Sequence, residues 1–219
     1  DRIAVMNRGR VEQVDEAMKA LYRLTEVDPR HADGWALLGK HQMDRSQFSE
    51  AIGCYDRLTQ LRPESAEAWT RRGEAYTLTG NNNEAMVSFD KAILADPSYE
   101  DAYLGKGNIQ IRVGMADQAI QTFKRALEKK PESEDAWFAT AIALKAMGRN
   151  KDCVKCLNRV LKINEKNEDA RKLKEELKDQ PDVVPVQRPE PPKAPPAQPP
   201  SMPPARPSQP MTAPEPLRA

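Results

Sequence analysis

Residues 66–98 read AEAWTRRGEAYTLTGNNNEAMVSFDKAILADPS and contain two helical patterns joined by a turn. Trp69, Gly73 and Tyr76 stand at i, i+4 and i+7, which places all three on one face of a first helix. The same spacing recurs on a second helix at Ala85, Phe89 and Ala92. Neither helix is apolar on every side, so each must bury one face against a neighbour.

The turn and the end of the unit carry their own signals. Gly80 suits a left-handed helix C-cap, and the three asparagines after it favour a turn and helix capping. Pro97 lacks a backbone N–H and disfavours a helical conformation at Asp96, so it ends the second helix. Gly73 and Ala85 should let the two helix backbones approach closely, and we expect Trp69 and Phe89 to be buried around that contact.

The same unit recurs with a period of 34 residues, which four sets of positions show together. These are Pro29, Pro63, Pro97 and Pro131; Trp35, Trp69, Tyr103 and Trp137; Gly39, Gly73, Gly107 and Ala141; and Ala51, Ala85, Ala119 and Cys153. Four sets that share one period indicate a helix–turn–helix unit stacked repeatedly, so that each pair covers the apolar face of the next.

This pattern of Trp, Gly and Tyr, then Ala, Phe and Ala, then Pro resembles the tetratricopeptide repeat (TPR) family over residues 1 to about 180. The resemblance implies an all-α, right-handed superhelical solenoid with a non-catalytic binding role. The predicted units are a truncated first repeat at 1–31, repeats at 32–65, 66–99, 100–133 and 134–167, a capping helix at 168–180 and a tail at 181–219.

The two ends depart from the repeat. Ala170, Leu173 and Leu177 share one side of a charged segment, which predicts the polar helix that closes a solenoid. From Pro181 onward the chain holds fifteen of its nineteen prolines, which predicts a disordered tail with polyproline II character. The tail reads as a linker, and residues 193–199 (KAPPAQP) also fit an SH3-type ligand pattern.

Composition excludes several classes of function. Thirty-four Lys and Arg balance thirty-three Asp and Glu, so no broad positive field predicts binding to nucleic acid or to an anionic membrane. No apolar run approaches the ~20 residues of a membrane span. Three cysteines argue against a disulfide framework and favour a reducing, cytoplasmic location. Because the chain begins with Asp1 rather than Met, we expect it to be a fragment.

No motif predicts catalysis, a cofactor or a metal site. Cys153 and Cys156 form a C-x-x-C without a second half, and Cys153 falls where other repeats place alanine, which favours core packing. Neither His31 nor His41 has a nucleophile or carboxylate at a spacing that suggests a dyad. We therefore expect a protein that is not an enzyme.

In TPR proteins the first helices line a concave groove, so the resemblance implies a protein or peptide partner there. The candidate partner-binding residues are those that the packing pattern leaves free: Lys40, Met43, Glu74, Thr77, Leu104, Asn108, Ile111, Arg112, Phe138, Ile142 and Lys145. Leu104, Ile111, Phe138 and Ile142 form an apolar patch near the last two repeats, which predicts either a binding anchor or contacts with the adjacent helices.

One family sub-type can be tested from these positions. Chaperone-binding members hold two carboxylates with Lys, Asn and Arg from three repeats, but here Asp33, Glu67, Asp101 and Asp135 stand where a cation is needed. The carboxylate clamp is therefore not expected. The leading prediction is an interaction module that binds a partner segment, and the alternative is a spacer or assembly scaffold for flanking domains. Oligomeric state is left open.

Overall fold

The structure, a computed structural model, describes residues 16–178 and 180–182 of the chain. Its described part is helical, with a first helix (α1) over residues 16–27. The helices that follow are α2 (Ala32–Asp44), α3 (Phe48–Leu61), α4 (Ala66–Leu78), α5 (Asn82–Ala95), α6 (Glu100–Arg112), α7 (Ala116–Lys129), α8 (Glu134–Ala146), α9 (Asn150–Ile163) and α10 (Glu168–Leu177).

Each helix packs on the helices before and after it in the chain. The contacts within pairs join α2 to α3, α4 to α5, α6 to α7 and α8 to α9, and each pair then contacts the first helix of the next. First helices of neighbouring repeats also contact one another, α4 with α6 and α6 with α8. They form the inner layer of a helical repeat solenoid, which confirms the predicted all-α TPR fold.

The recurring glycines make room for an aromatic ring from the second helix. A Cβ atom added at Gly73 would lie 2.8 Å from Cε1 of Phe89, and one at Gly39 would lie 2.8 Å from Cε1 of Tyr55. Phe89 is 1% exposed, and burying a side chain of this size stabilises by about 1.5–3 kcal/mol. The ring therefore occupies the space that the glycine leaves open.

The last repeat changes both partners of this contact. Gly107 lies against the ring of Phe123 in the same way, but one repeat later the corresponding residues are Ala141 and Leu157, both fully buried. A larger residue on the first helix is matched by a smaller one on the second, which keeps the total volume similar.

The aromatic and proline positions are joined by hydrogen bonds. Nε1 of Trp69 donates to the carbonyl oxygen of Pro63 at 2.8 Å, and the same bond joins Trp35 to Pro29, Trp137 to Pro131 and, through its hydroxyl, Tyr103 to Pro97. This bond needs a ring that carries a donor, which explains Trp or Tyr at a position where Phe never occurs.

Trp69 is less buried than the sequence predicted. Its ring is half-buried, because it lies at the edge of the helix pair with Lys91 Nζ 4.4 Å from its centroid. Phe89, by contrast, is buried as expected.

The turns follow the period as well. Gly80, Gly114 and Gly148 have φ of 80°, 82° and 71°, the left-handed conformation that glycine adopts without strain, and Ser46 takes this position in the earliest described repeat. The first helices begin at a second recurring position, where His31, Ser65, Ser133 and Asn167 each accept a hydrogen bond from the N–H three residues later.

The C-terminal helix α10 closes the described solenoid. Ala170, Leu173 and Leu177 are buried against Cys153, Leu157 and Val160 of the last repeat, which confirms the predicted capping helix. The helix ends at Leu177. The predicted disordered, polyproline tail covers residues 181–219. Pro181 and Asp182 are described and accept hydrogen bonds from Asn150 and Lys151 of α9, whereas residues 183–219 lie outside the described residues, as do residues 1–15 of the predicted truncated repeat.

Candidate partner-binding groove

The inner layer of first helices carries a pocket of about 600 Å³ between α2 and α4. Three predicted groove residues, Lys40, Met43 and Glu74, line it. Its wall also includes Tyr55 and Leu58 from α3, both buried in the repeat. The pocket therefore combines an apolar base with charged side chains at its edge.

The charges around this pocket are largely paired. Arg62 lies 2.9 Å from Asp33, and Arg71 lies 3.0 Å from Glu74. Lys40 is exposed and makes no ion pair or hydrogen bond to any residue that the structure describes. Burial raises the pKa of Tyr55 to about 12, so its hydroxyl is neutral at physiological pH.

A second pocket of about 410 Å³ continues the first between α4 and α6. Met43 and Glu74 line both pockets. The second pocket adds Thr77, Leu104 and Asn108, which are also predicted groove residues. The two pockets, which share Met43 and Glu74 in their walls, are together called the α2–α6 groove.

The C-terminal part of the inner layer has a different character. Ile111, Phe138 and Ile142 are half-buried and pack with the core cluster that α10 completes, and Leu104 also contacts this cluster. Of the apolar patch predicted from the sequence, Leu104 lines a pocket. Ile111, Phe138 and Ile142 make contacts within the fold.

The two predicted cations of this part bind residues of the chain itself. Arg112 donates to Oδ1 of Asn82 at 2.7 Å and to the carbonyl oxygen of Thr77 at 3.5 Å. The ammonium of Lys145 lies 2.9 and 3.0 Å from the two carboxylate oxygens of Glu176 on α10.

Sequence reasoning did not include Tyr55 and Leu58 in the groove. Both belong to a second helix, whereas the resemblance to TPR proteins implies a groove lined by first helices. The signal was available in Gly39, because a glycine that leaves room for the Tyr55 ring brings this second-helix side chain close to the first helix.

The cysteines are placed for packing. Cys54 donates to Oε1 of Gln42 at 3.0 Å, and burial raises the pKa of Cys54 and of Cys153 to about 11. Burial also raises the pKa of the half-buried Cys156. These thiols are protonated at neutral pH, and the thiolate is the form that attacks electrophiles or binds metals.

Within the described ranges, 16–178 and 180–182, no helix combines the length and the apolar character that a membrane span requires. No cluster of three or more His, Cys, Asp or Glu in those ranges could hold a metal ion.

Comparison with known families agrees with the repeat pattern. Two models described as tetratricopeptide repeat match residues 37–102 and residues 110–177, which together make up more than half of the chain. The chain therefore belongs to the tetratricopeptide-repeat family. No curated protein sequence matches it.

Solved structures show the same fold. A crystal structure of MamA is 25% identical, with a TM-score of 0.66, and the match covers 74% of this chain and 95% of that one. TTC0263, a TPR protein from Thermus thermophilus, is 18% identical with a TM-score of 0.61, covering 78% and 94%. YrrB, described as a TPR protein with an unusual peptide-binding site, is 19% identical with a TM-score of 0.58, covering 73% and 82%.

Proposed function

We propose that this chain is a non-catalytic interaction module that binds an extended segment of a partner protein in the α2–α6 groove. The observation that carries this proposal is the pair of adjoining pockets that share Met43 and Glu74. Pockets of this size accept side chains, and two in succession suit a peptide that places anchors in both.

The chemistry of the groove indicates what kind of segment fits. Met43 and Leu104 offer apolar surface, and methionine adapts to side chains of different shapes. Lys40 supplies a cation without a partner among the described residues, so an acidic residue beside an apolar anchor would complement it. The partner is a protein rather than a nucleic acid or a membrane, and the groove does not act as a chaperone carboxylate clamp. A cytoplasmic location is part of the same proposal.

The second candidate is a spacer or assembly scaffold for flanking domains. Half-burial of Ile111, Phe138 and Ile142 favours it in one respect, because these residues stabilise the repeat stack instead of lying free for a ligand. The two candidates differ in whether the α2–α6 groove has an occupant.

Peptide selection on the immobilised full chain distinguishes them. Peptides from a random display library are selected, and their dissociation constants are measured for the wild type, for Met43→Asp and for Leu94→Asp. Leu94 is 82% exposed on α5, so it is a matched control for placing an Asp on an apolar position. Losing an anchor contact of about 2 kcal/mol should weaken binding about thirtyfold for Met43→Asp, with no change for Leu94→Asp. Failure to select any peptide, or equal binding by both variants, would favour the scaffold.

A further inference from the structure

The charges that line the α2–α6 groove do not balance. Its two pockets carry five acids and three cations. Two of the acids, Asp33 and Glu74, are bound to Arg62 and Arg71. The other charged side chains make no ion pair or hydrogen bond to any residue in the described ranges, and they are one cation, Lys40, and three acids, Asp44, Glu67 and Asp101. The groove therefore keeps an excess of unpaired acid.

Two of the unpaired acids, Glu67 and Asp101, occupy the same place in neighbouring repeats. Each is the second residue of a first helix, α4 or α6, and these two helices contact each other. Arg71 lies near Glu67, but it is already bound within the fold. Lys130 lies near Asp101, but its ammonium is 2.7 Å from Glu100. The cations closest to the two acids are thus engaged elsewhere.

An aromatic ring lies beside both acids. Tyr99 precedes α6 at the position where the neighbouring first helices have a polar side chain that caps the helix, but Tyr99 makes no capping hydrogen bond. Its half-buried ring packs against the apolar cluster that includes Ala66 and Phe89. Burial raises the pKa of the Tyr99 hydroxyl, and the charges of Asp101 and Glu67 raise it further, so the hydroxyl lies in the field of both carboxylates.

We propose that the α4–α6 part of the groove receives a basic side chain, Arg or Lys, of the partner segment. This inference rests on the proposed function, because the segment is the occupant of the groove, and it adds the charge that the segment carries. Two carboxylates attract a cation, and a tyrosine ring attracts one within about 6 Å of its centroid. The chain has such a contact elsewhere, where Lys91 Nζ lies 4.4 Å from the centroid of Trp69.

The unpaired charges also give the segment an order. Lys40 lies on α2 and lines only the first pocket, whereas Asp101 lies on α6 and lines only the second. An apolar anchor beside Met43, which lines both pockets, separates the two sites. The segment therefore carries its basic residue on one side of the anchor and any acidic residue on the other. Asp44 is one helical turn from Lys40 and offsets that cation, so the basic residue is the stronger determinant of binding.

Peptide selection on charge-neutral variants tests this inference. Random displayed peptides are selected in parallel at 0.05 M NaCl on the immobilised full chain, as the wild type and as Glu67→Gln/Asp101→Asn. The wild-type pool should be enriched in Arg and Lys on one side of an apolar residue, and the variant should lose this enrichment. The matched control is Glu84→Gln/Asp117→Asn, which removes two exposed acids from the first turns of second helices and should keep it.

A synthetic peptide from the wild-type pool gives the size of the effect. Changing its basic residue to Gln should weaken binding to the wild type by about fivefold to tenfold, because each of two partly exposed ion pairs contributes up to about fivefold. The same change should not alter binding to Glu67→Gln/Asp101→Asn, and a double-mutant cycle measures this coupling. NaCl at 0.5 M should remove most of the difference seen with the wild type.

The outcomes separate this inference from the proposed function. Peptides that lose binding with Met43→Asp but carry no basic residue would overturn the inference and leave the proposed function in place. A basic residue that contributes equally to binding by the wild type and by Glu67→Gln/Asp101→Asn would do the same. An equal loss of enrichment with Glu84→Gln/Asp117→Asn would also overturn the inference, because the attraction would then come from net charge. Failure to select any peptide would overturn both.

Discussion

The inner layer behaves differently at its two ends, although both are built from the same 34-residue unit. Between α2 and α6, side chains at the groove positions leave two adjoining pockets open. At α8, the equivalent positions carry Phe138 and Ile142, which pack into the core cluster that α10 completes. Lys145 at the end of α8 is bound to Glu176 of α10.

This difference shows that position in the repeat fixes the direction of a side chain but not its exposure. Exposure depends on the neighbouring helix, and α8 has a capping helix beside it. A capping helix must cover the apolar face of the last repeat, and here it also binds a cation of the inner layer. The open part of the groove therefore lies among the earlier repeats.

The first prediction concerns Gly107, on the helix that lies between these two regions. Gly107→Ala should lower the free energy of unfolding by about 1–3 kcal/mol, because the added methyl group would overlap the buried Phe123 ring. Adding Phe123→Leu should recover at least ~1 kcal/mol of this loss, because the pair then matches Ala141 and Leu157. Urea unfolding of both single variants and the double variant measures the coupling.

Gly53→Ala is the control for this substitution. Gly53 lies within α3, and an added Cβ there would meet no atom within 4 Å. Alanine should therefore stabilise by about 0.5–1 kcal/mol through its helix propensity. Additive effects of Gly107→Ala and Phe123→Leu would show that these two residues do not pack as a pair. The Ala141–Leu157 pair of the last repeat would then not be a matched replacement for them.

The second prediction separates the apolar patch from the open groove. Phe138→Ala should destabilise by about 1–2 kcal/mol, less than the 3–5 kcal/mol of a fully buried Phe, because only part of its ring is covered. Met43→Ala should cost less, since Met43 borders two pockets. Thermal and urea unfolding give both values. A larger loss for Met43→Ala than for Phe138→Ala would reverse the assignment of open and closed regions.

Most of the fold could be predicted from the sequence because repetition supplies the evidence several times. Pro97 and Gly80 end a helix and shape a turn through local backbone chemistry, so one sequence suffices to place them. The link between Trp69 and Pro63 was not predicted, because a hydrogen bond across six residues leaves no periodic signal beyond the two positions themselves.

The candidate site could be predicted less completely. Helical register gave the direction of residues such as Leu104 and Phe138, but their burial depends on long-range contacts with α10 and the core. The pairing of Arg112 with Asn82 joins residues 30 positions apart, and no local rule predicts it. A further pocket, between α7, α8 and α9, was detectable in principle, since Thr140 and Lys124 stand where the two preceding repeats have a cation and an acid.

The third prediction compares two lysines of the inner layer. Lys145→Ala should lower stability by at most ~1 kcal/mol, because the ion pair with Glu176 is partly exposed and surface pairs contribute little. Salt at 1 M should remove most of that difference, since the Debye length then falls to about 3 Å and the attraction between exposed charges is screened. Lys40→Ala should change stability by less than ~0.5 kcal/mol at either salt concentration, because no described residue pairs with its ammonium. Urea unfolding at 0.05 M and 1 M NaCl measures both variants. An equal, salt-sensitive loss for Lys40→Ala would mean that Lys40 is bound within the fold too, and the α2–α6 groove would lose the cation assigned to its partner.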